Sequence, residues 1–112
     1  MASLRDTPGA RALLAALPCE SSASTWGKEV YFSLPVAMSL DADAQQVVAA
    51  GDVCFWVEGA SLALPFGPTP ISRGDECRLV TQCNVLGRID ADPQCLATVR
   101  DGDAIRVSLA DV

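Results

Sequence analysis

The side chains best suited to chemistry are concentrated in one segment, Phe66–Arg78, which is rich in glycine and proline. Its hydroxyl groups, on Thr69 and Ser72, would need a neighbouring base to become nucleophiles. The chain has no histidine, so only Lys28 or a carboxylate could serve as that base. The same absence excludes Ser-His-Asp and Cys-His catalysis and imidazole ligation of a metal. We therefore predict no catalytic residue, and we favour a protein that is not an enzyme.

Adjacent carboxylates in this segment offer a second chemistry. Asp75 and Glu76 would form an acid–base pair, although neighbouring residues on a strand point to opposite sides. Arg73 lies just before them, and arginine forms fixed bidentate pairs with carboxylates and other anions. Two uses of this cluster stay open: ion pairs that hold the loop in place, and contact with a bound anion.

Five residues are predicted to rim a ligand-binding groove: Tyr31, Trp56, Phe66, Arg73 and Arg88. Aromatic walls with convergent arginines would accept a small anionic metabolite or the end of a peptide. Tyr31 alternates with Phe32 along a predicted strand, so one of the two faces away from the core. For Trp26 and Trp56 the alternative is packing, with the indole N–H bonded to the backbone.

The cysteines indicate a compartment rather than a site. There are five of them: Cys19, Cys54, Cys77, Cys83 and Cys95. Their number is odd, none has Cys-x-x-Cys spacing and no export signal precedes them, which predicts free thiols in a reducing cytoplasm. Cys77, Cys83 and Cys95 would be the ligands of a three-thiolate metal site, but their spacings match no zinc pattern and no histidine completes the set. We predict neither a metal nor another cofactor.

Length and charge limit the partners. A chain of 112 residues forms one domain with one core, residues 1–112. Its formal charge of −6 leaves no basic stripe for phosphates, which argues against nucleic acid and against an anionic membrane surface. No apolar run approaches the roughly 18 residues needed to cross a bilayer. We predict a cytoplasmic domain without a nucleic-acid or membrane partner.

Hydrophobic periodicity predicts few helical segments. A threonine N-cap, a proline at the first helical position and apolar residues at helical spacing predict one amphipathic helix over Thr7–Leu17. A second helical segment, only a short turn, is expected near Pro93. The helix has one apolar face, which must be buried against another element.

The rest of the chain indicates about seven short strands. Val53–Val57 and Ser61–Phe66 form the clearest hairpin, turned by Glu58 and Gly59. Two later strands are expected at Val80–Gln82 and Asn84–Ile89. Turns at this spacing predict a mainly β fold, a closed or nearly closed barrel with the helix over one open end.

Several short motifs follow one another in a fixed order along the chain: Leu17-Pro18, Trp26-Gly27, Glu29-Val30-Tyr31-Phe32, Gly67-Pro68-Thr69-Pro70, Gly74-Asp75-Glu76, Asn84-Val85 and Gly87-Arg88-Ile89. In this order they resemble the small uncharacterised cyclophilin-like proteins of microbes, from Thr7 to the C-terminus. The resemblance implies a cyclophilin-like β-barrel closed by a helix. It does not imply cyclophilin activity, because the histidine of the cyclophilin groove is missing and no stretch matches the motifs that carry its arginine and glutamine. Since one fold hosts many functions, the site must be argued separately.

The resemblance also implies a first strand before the helix, where this sequence has only Met1–Asp6. An uncovered strand edge invites pairing with a second copy, so we expect a homodimer. For function we favour a non-catalytic module that binds a small molecule or a peptide. Two alternatives stay open: a peptidyl-prolyl isomerase that works through an arginine, and a structural subunit that assembles with itself or with an enzyme.

Overall fold

The computed structural model describes residues 1–110, and that range contains nine strands, one α-helix and one 3₁₀ helix. The strands are β1 (Ala2–Leu4), β2 (Cys19–Ser22), β3 (Ser24–Thr25), β4 (Glu29–Ser33), β5 (Gln45–Val48), β6 (Asp52–Trp56), β7 (Ser61–Pro65), β8 (Cys77–Ile89) and β9 (Ala104–Val107). The helix α1 spans Pro8–Ala15, and the 3₁₀ helix spans Pro93–Thr98. The mainly β architecture is the one that the sequence predicts.

Every strand pair is antiparallel. The larger sheet runs in the order β1-β8-β6-β7-β4-β3, with β5 paired to β8, and β2 and β9 form a separate two-stranded sheet. The larger sheet does not close on itself, and the fold is a nearly closed barrel. This agrees with the prediction of a closed or nearly closed barrel. No helix within residues 1–110 has the length and apolar character to cross a membrane.

The single α-helix begins where predicted and ends early. The Thr7 side chain accepts a hydrogen bond from the Ala10 amide at 3.1 Å, and Pro8 occupies the first turn. Ala10 and Leu13 are buried on the apolar face. The helix stops at Ala15 instead of Leu17, because the residue before a proline is disfavoured in the helical conformation. The predicted turn near Pro93 is the 3₁₀ helix.

The larger sheet is buried on both faces. The main core contains all three phenylalanines of the chain, Phe32, Phe55 and Phe66. Alternation along the strands places a second, smaller cluster on the opposite face: Cys54, Ala63, Leu79 and Cys83, with Tyr31, Val48, Trp56 and Val85 packed against them. This second face carries the site described below.

Strand β8 joins the two halves of the sheet. It is one continuous strand of 13 residues, where two short strands were predicted. Its first half pairs with β5, and its second half pairs with β6 and β1. Asn84, at the midpoint, is fully buried; its side chain accepts from the Asp41 amide at 2.7 Å and donates to the Ser39 carbonyl at 2.9 Å. Asn84 therefore holds the segment before β5.

The first strand is present in this chain. Residues Ala2–Leu4 pair with β8, and Gly87 permits the close approach because a Cβ there would lie 2.1 Å from the Ser3 carbonyl oxygen. The expectation of an incomplete barrel edge was therefore wrong. Three extended residues were enough to form β1, because β8 offers them a free edge.

Candidate functional site

The candidate site is a pocket of about 240 Å³ on the second face of the larger sheet. We call it the outer pocket, and its lining residues are Trp26, Glu29, Tyr31, Trp56, Ala63, Leu79, Val80 and Cys83. Both tryptophans and the single tyrosine of the chain are among them. Glu29 is the one charged side chain in this lining.

A larger cavity of about 480 Å³ lies at the end of the barrel under α1 and is lined almost entirely by apolar side chains. Its one charged lining residue is Arg106, an exposed residue that alternates with the half-buried Ile105 and Val107 on β9. Because a binding site needs polar groups that orient a ligand, the outer pocket is the stronger candidate.

Strand β4 places two functional side chains on the pocket face. Glu29 and Tyr31 alternate with Val30 and Phe32, which are buried in the main core. The turn before β4 brings in Trp26, whose amide donates to the Glu29 carbonyl at 3.0 Å. Three of the lining residues therefore come from six consecutive positions, 26–31, and one turn and one strand bring them together.

The loop 66–76 is hydrogen-bonded to the backbone of that turn. The Lys28 amide donates to the Pro68 carbonyl at 2.9 Å, and the Phe66 amide donates to the Lys28 carbonyl at 2.8 Å. Gly27 has φ +60, and a Cβ there would lie 2.9 Å from the Pro70 ring and from the Thr69 backbone. Only glycine combines that conformation with so close a contact. The loop thus fixes the turn that carries Trp26.

Within the loop, the polar side chains bond to one another. Ser72 Oγ accepts from the Thr69 amide at 2.8 Å and from the Arg78 amide at 3.2 Å, and the Thr69 hydroxyl donates to the Arg78 carbonyl. Glu76 Oε1 lies 2.7 Å from Arg78 Nε and accepts from the Arg73 amide at 2.9 Å. The side-chain bond from Arg78 and the amide of Arg73 lower the pKa of Glu76 below its usual value. Both candidate hydroxyls and this carboxylate thus have structural partners.

Trp56 is positioned by the hairpin that follows it. Its indole lies against Gly59, where a Cβ would come within 2.2 Å of indole Cε3. The left-handed residue of the turn is Ala60, with φ 46. Gly59 is needed for the space that its missing side chain leaves to the indole.

Glu29 is an unusual group for such a pocket. The residue is 5% exposed, and within residues 1–110 its Oε1 atom is buried without a hydrogen-bond partner. Burial raises the pKa of Glu29 to about 7. The pKa values of the thiols of Cys54, Cys77 and Cys83 are also raised, chiefly by burial and in smaller part by acidic side chains that include Glu29. Thiols in this state are protonated at neutral pH and chemically inert.

The structure brings together two of the five residues predicted to rim a groove. Tyr31 and Trp56 line the outer pocket. Phe66 is buried in the main core, and Arg73 is exposed on the loop. Arg88 is exposed and donates to the Ala50 carbonyl at 3.4 Å, beside the turn before β6. The arginines therefore do not converge on the pocket, because β8 directs Arg88 outward and the loop holds Arg73 at the surface.

Sequence reasoning missed Glu29 as a site residue. The signal was available, since Glu29 and Tyr31 fall on one face of the same predicted strand. What the pattern could not give is the burial of that face, which depends on a distant part of the chain, the first half of β8, whose Leu79, Val80 and Cys83 line the same pocket.

Metal ligation finds no support in this geometry. Cys77 and Cys83 lie on β8, whereas Cys95 is exposed on the 3₁₀ helix. In the part of the chain that the structure describes, no three His, Cys, Asp or Glu side chains are grouped so that they could hold a metal ion.

A nearly closed antiparallel barrel with one helix under it and an aromatic pocket on its outer face defines a domain of the cyclophilin type. The family model described as "Cyclophilin-like" matches residues 1–108, and the chain belongs to this family. A solved structure, that of a hypothetical protein from Archaeoglobus fulgidus, is similar to it with a TM-score of 0.81 and 37% identity, covering 97% of this chain and 85% of that one. A search among curated proteins found no match. The resemblance inferred from the ordered motifs is confirmed.

Proposed function

We propose that this cyclophilin-like domain is a binding module that takes a small molecule, or a protruding group of a peptide, into the outer pocket. The observation that carries the proposal is Glu29, a buried carboxyl whose Oε1 atom has no partner in residues 1–110, at a pocket walled by three aromatic side chains. A buried acceptor without a partner costs free energy, and a ligand that donates a hydrogen bond would remove that cost.

The charge of the lining changes the expected ligand. An anionic metabolite was expected because arginines were predicted in the groove. No arginine or lysine is among the pocket residues that the structure describes, and the one ionisable carboxyl would repel an anion. A ligand that carries a hydrogen-bond donor is therefore favoured over an anion.

The two alternative functions gain less support. An isomerase that works through an arginine would need that arginine beside the prolyl bond, and the outer pocket has none in its described lining. A tetrapeptide isomerisation assay that shows only the uncatalysed rate would dispose of this alternative. A dimer through a strand edge was expected because the first strand was thought to be missing, but β1 is present. The strands at the two ends of the sheet, β1 and β3, are only three and two residues long, so each offers a short edge for pairing. Sedimentation of the full chain tests for it.

The chain contains its own reporter of binding. Its two tryptophans both line the outer pocket, so any ligand that enters should alter the fluorescence and the two indole N–H signals in a ¹H–¹⁵N spectrum. We would screen the full chain against amines, amino acids, monocarboxylates and short peptides with free and blocked ends. Saturable changes at both indole signals are expected for at least one class.

A pocket-filling variant provides the control. Ala63 lies on β7 in the pocket lining, and Ala63→Val places two methyl groups in the space that the ligand would use. The matched change Ala97→Val is at an exposed position on the 3₁₀ helix. Binding should be lost in the first variant and kept in the second. Equal binding by both variants, or no response from any class of probe, would count against the proposal.

A further inference from the structure

The chain separates its aromatic residues into two groups. All three phenylalanines are in the main core, whereas both tryptophans and the tyrosine line the outer pocket. A core needs only apolar volume, which phenylalanine supplies. The faces of tryptophan and tyrosine rings additionally attract cations, with tryptophan the strongest.

The polar group among these rings has the matching sign. Glu29 contributes a carboxyl that is 5% exposed and has an unpartnered Oε1 atom among the described residues. The titratable groups around it are the thiols of Cys54, Cys77 and Cys83 on β6 and β8, on which the charge of Glu29 acts, and the phenol of Tyr31, which lines the same pocket. None of these carries a positive charge, so nothing in the described lining neutralises the carboxylate.

The volume of the pocket limits the size of its ligand. At about 30 Å³ for each water-sized group, 240 Å³ holds about eight such groups. This is below the roughly 300 Å³ at which sites for drug-sized ligands begin. A pocket of this size fits an alkylated ammonium group or one side chain, and it is too small to enclose a whole nucleotide.

Resting on the proposed function, we infer that the outer pocket recognises a small organic cation, held between Trp26, Tyr31 and Trp56 and paired with Glu29. The cation is an ammonium group with apolar substituents, either a free amine or the side chain of a peptide. The formal net charge of −6 draws such a ligand toward the protein.

The test compares a cation with its uncharged twin. Choline and its carbon isostere, in which carbon replaces the quaternary nitrogen, have the same shape and the same hydroxyl donor, so the comparison isolates the charge of the ligand from its hydrogen bond to Glu29. The full chain should bind choline with changes at both indole signals, and the isostere about tenfold or more weakly. For the peptide source, a blocked pentapeptide with a central lysine is compared with the same peptide carrying norleucine. Tighter binding of choline than of the lysine peptide would identify the ligand as a free amine. Tighter binding of the lysine peptide would identify it as the side chain of a peptide.

Variants assign the effect to the carboxylate. Glu29→Gln keeps the shape of the side chain and should weaken choline binding by about tenfold while leaving the isostere unchanged. Glu20→Gln, at an exposed position on β2, makes the same change in charge and should have no effect. Choline does not titrate, so its affinity should rise as the pH passes from about 6 to about 8, through the pKa of about 7 at which the Glu29 carboxylate forms, and this rise should vanish in Glu29→Gln. If Glu29→Gln fails to fold, Trp56→Phe replaces it, with weaker choline binding expected.

The outcomes separate this inference from the proposed function. Equal binding of choline and the isostere, or an unchanged affinity in Glu29→Gln, overturns the inference that the ligand is a cation. The outer pocket then remains a proposed binding site. A different class of probe that changes the indole signals, with no response to either cation, also overturns only the inference that the ligand is a cation. No response to any probe overturns both.

Discussion

The indole of Trp56 lies on the backbone of Gly59, so closely that a Cβ on Gly59 would come within 2.2 Å of Cε3, 2.4 Å of Cζ3 and 2.6 Å of Cδ2. Contacts this short do not occur between real atoms, so the ring occupies the space of the missing side chain. The hairpin between β6 and β7 thereby sets the position of one wall of the outer pocket.

Gly59→Ala should displace the Trp56 indole. The Cβ is fixed by the backbone, so the ring must move, with an expected loss of about 1–3 kcal/mol of stability from overpacking. A shift of one of the two indole N–H signals and a weaker affinity for pocket ligands would show it. Gly9→Ala is the matched control, since Gly9 lies on α1 outside the pocket lining and its Cβ meets chiefly the flexible end of Met38, at 2.8 Å. An unmoved Trp56 signal in Gly59→Ala would contradict the prediction.

Stability should fall as the pH rises through the titration range of Glu29. Below about pH 4.5 both states hold the proton; between there and about 7 only the folded state holds it, because burial raises the pKa of Glu29 to about 7. Once the carboxylate is fully formed, the free energy of unfolding should be lower by about 3 kcal/mol than at acidic pH. Urea unfolding at about pH 5 and about pH 8 measures this, and Glu29→Gln should flatten the profile.

The other groups with shifted pKa values cannot cause this fall in stability. Glu76 has a lowered pKa, so it is ionised in both states across this range, and the buried thiols titrate only at higher pH. A profile equally steep in Glu29→Gln and in the native chain would refute the assignment.

Asn84→Ala should loosen the segment between β4 and β5. The side chain bonds to the Ser39 carbonyl and the Asp41 amide, and its removal leaves a cavity and two backbone groups to be satisfied. We expect a loss of about 3 kcal/mol and faster hydrogen exchange at the Asp41 amide. Gln46→Ala removes a single, partly buried bond to the Leu79 carbonyl and should cost about 1 kcal/mol. Equal losses in the two variants would contradict the special role of Asn84.

The five cysteines should react in a fixed order with a thiol reagent. Cys95 is exposed and should react first, and Cys19 is half-buried and should follow. Cys54, Cys77 and Cys83 are buried, and burial raises the pKa of Cys83 to about 12, so these three should react only after unfolding. Mass spectrometry of the alkylated chain identifies the sites. Rapid labelling of Cys83 in the folded protein would show that the pocket floor is open to solvent.

Several features were predictable because they depend on neighbours in the sequence. The helix over Pro8–Ala15 follows from its cap and apolar spacing, and the β6–β7 hairpin follows from its alternation. Trp26, Glu29 and Tyr31 are likewise brought together by one turn and one strand. The family resemblance was predictable for the same reason, since its motifs are local turns and strand ends.

The pairing of charges was not predictable. Glu76 accepts from the side chain of Arg78 and only from the backbone of Arg73, although both arginines are close to it in sequence. Arg88 points to the turn before β6 and not to the loop. Long side chains reach several partners, and the fold of the backbone around them selects one.

By itself, the sequence determined a small, acidic, mainly β chain without histidine, with an amphipathic helix, a strand that puts Glu29 and Tyr31 on one face, and an ordered set of motifs that indicates the family. Only the tertiary structure decided that this face is buried. Leu79, Val80 and Cys83 of β8 line the same pocket as Glu29 and Tyr31, and the pairing of β7 with both β4 and β6 brings Trp56 from the hairpin to that pocket. The physical reason is that alternation assigns a side chain to a face of a sheet, whereas burial depends on which distant segment covers that face.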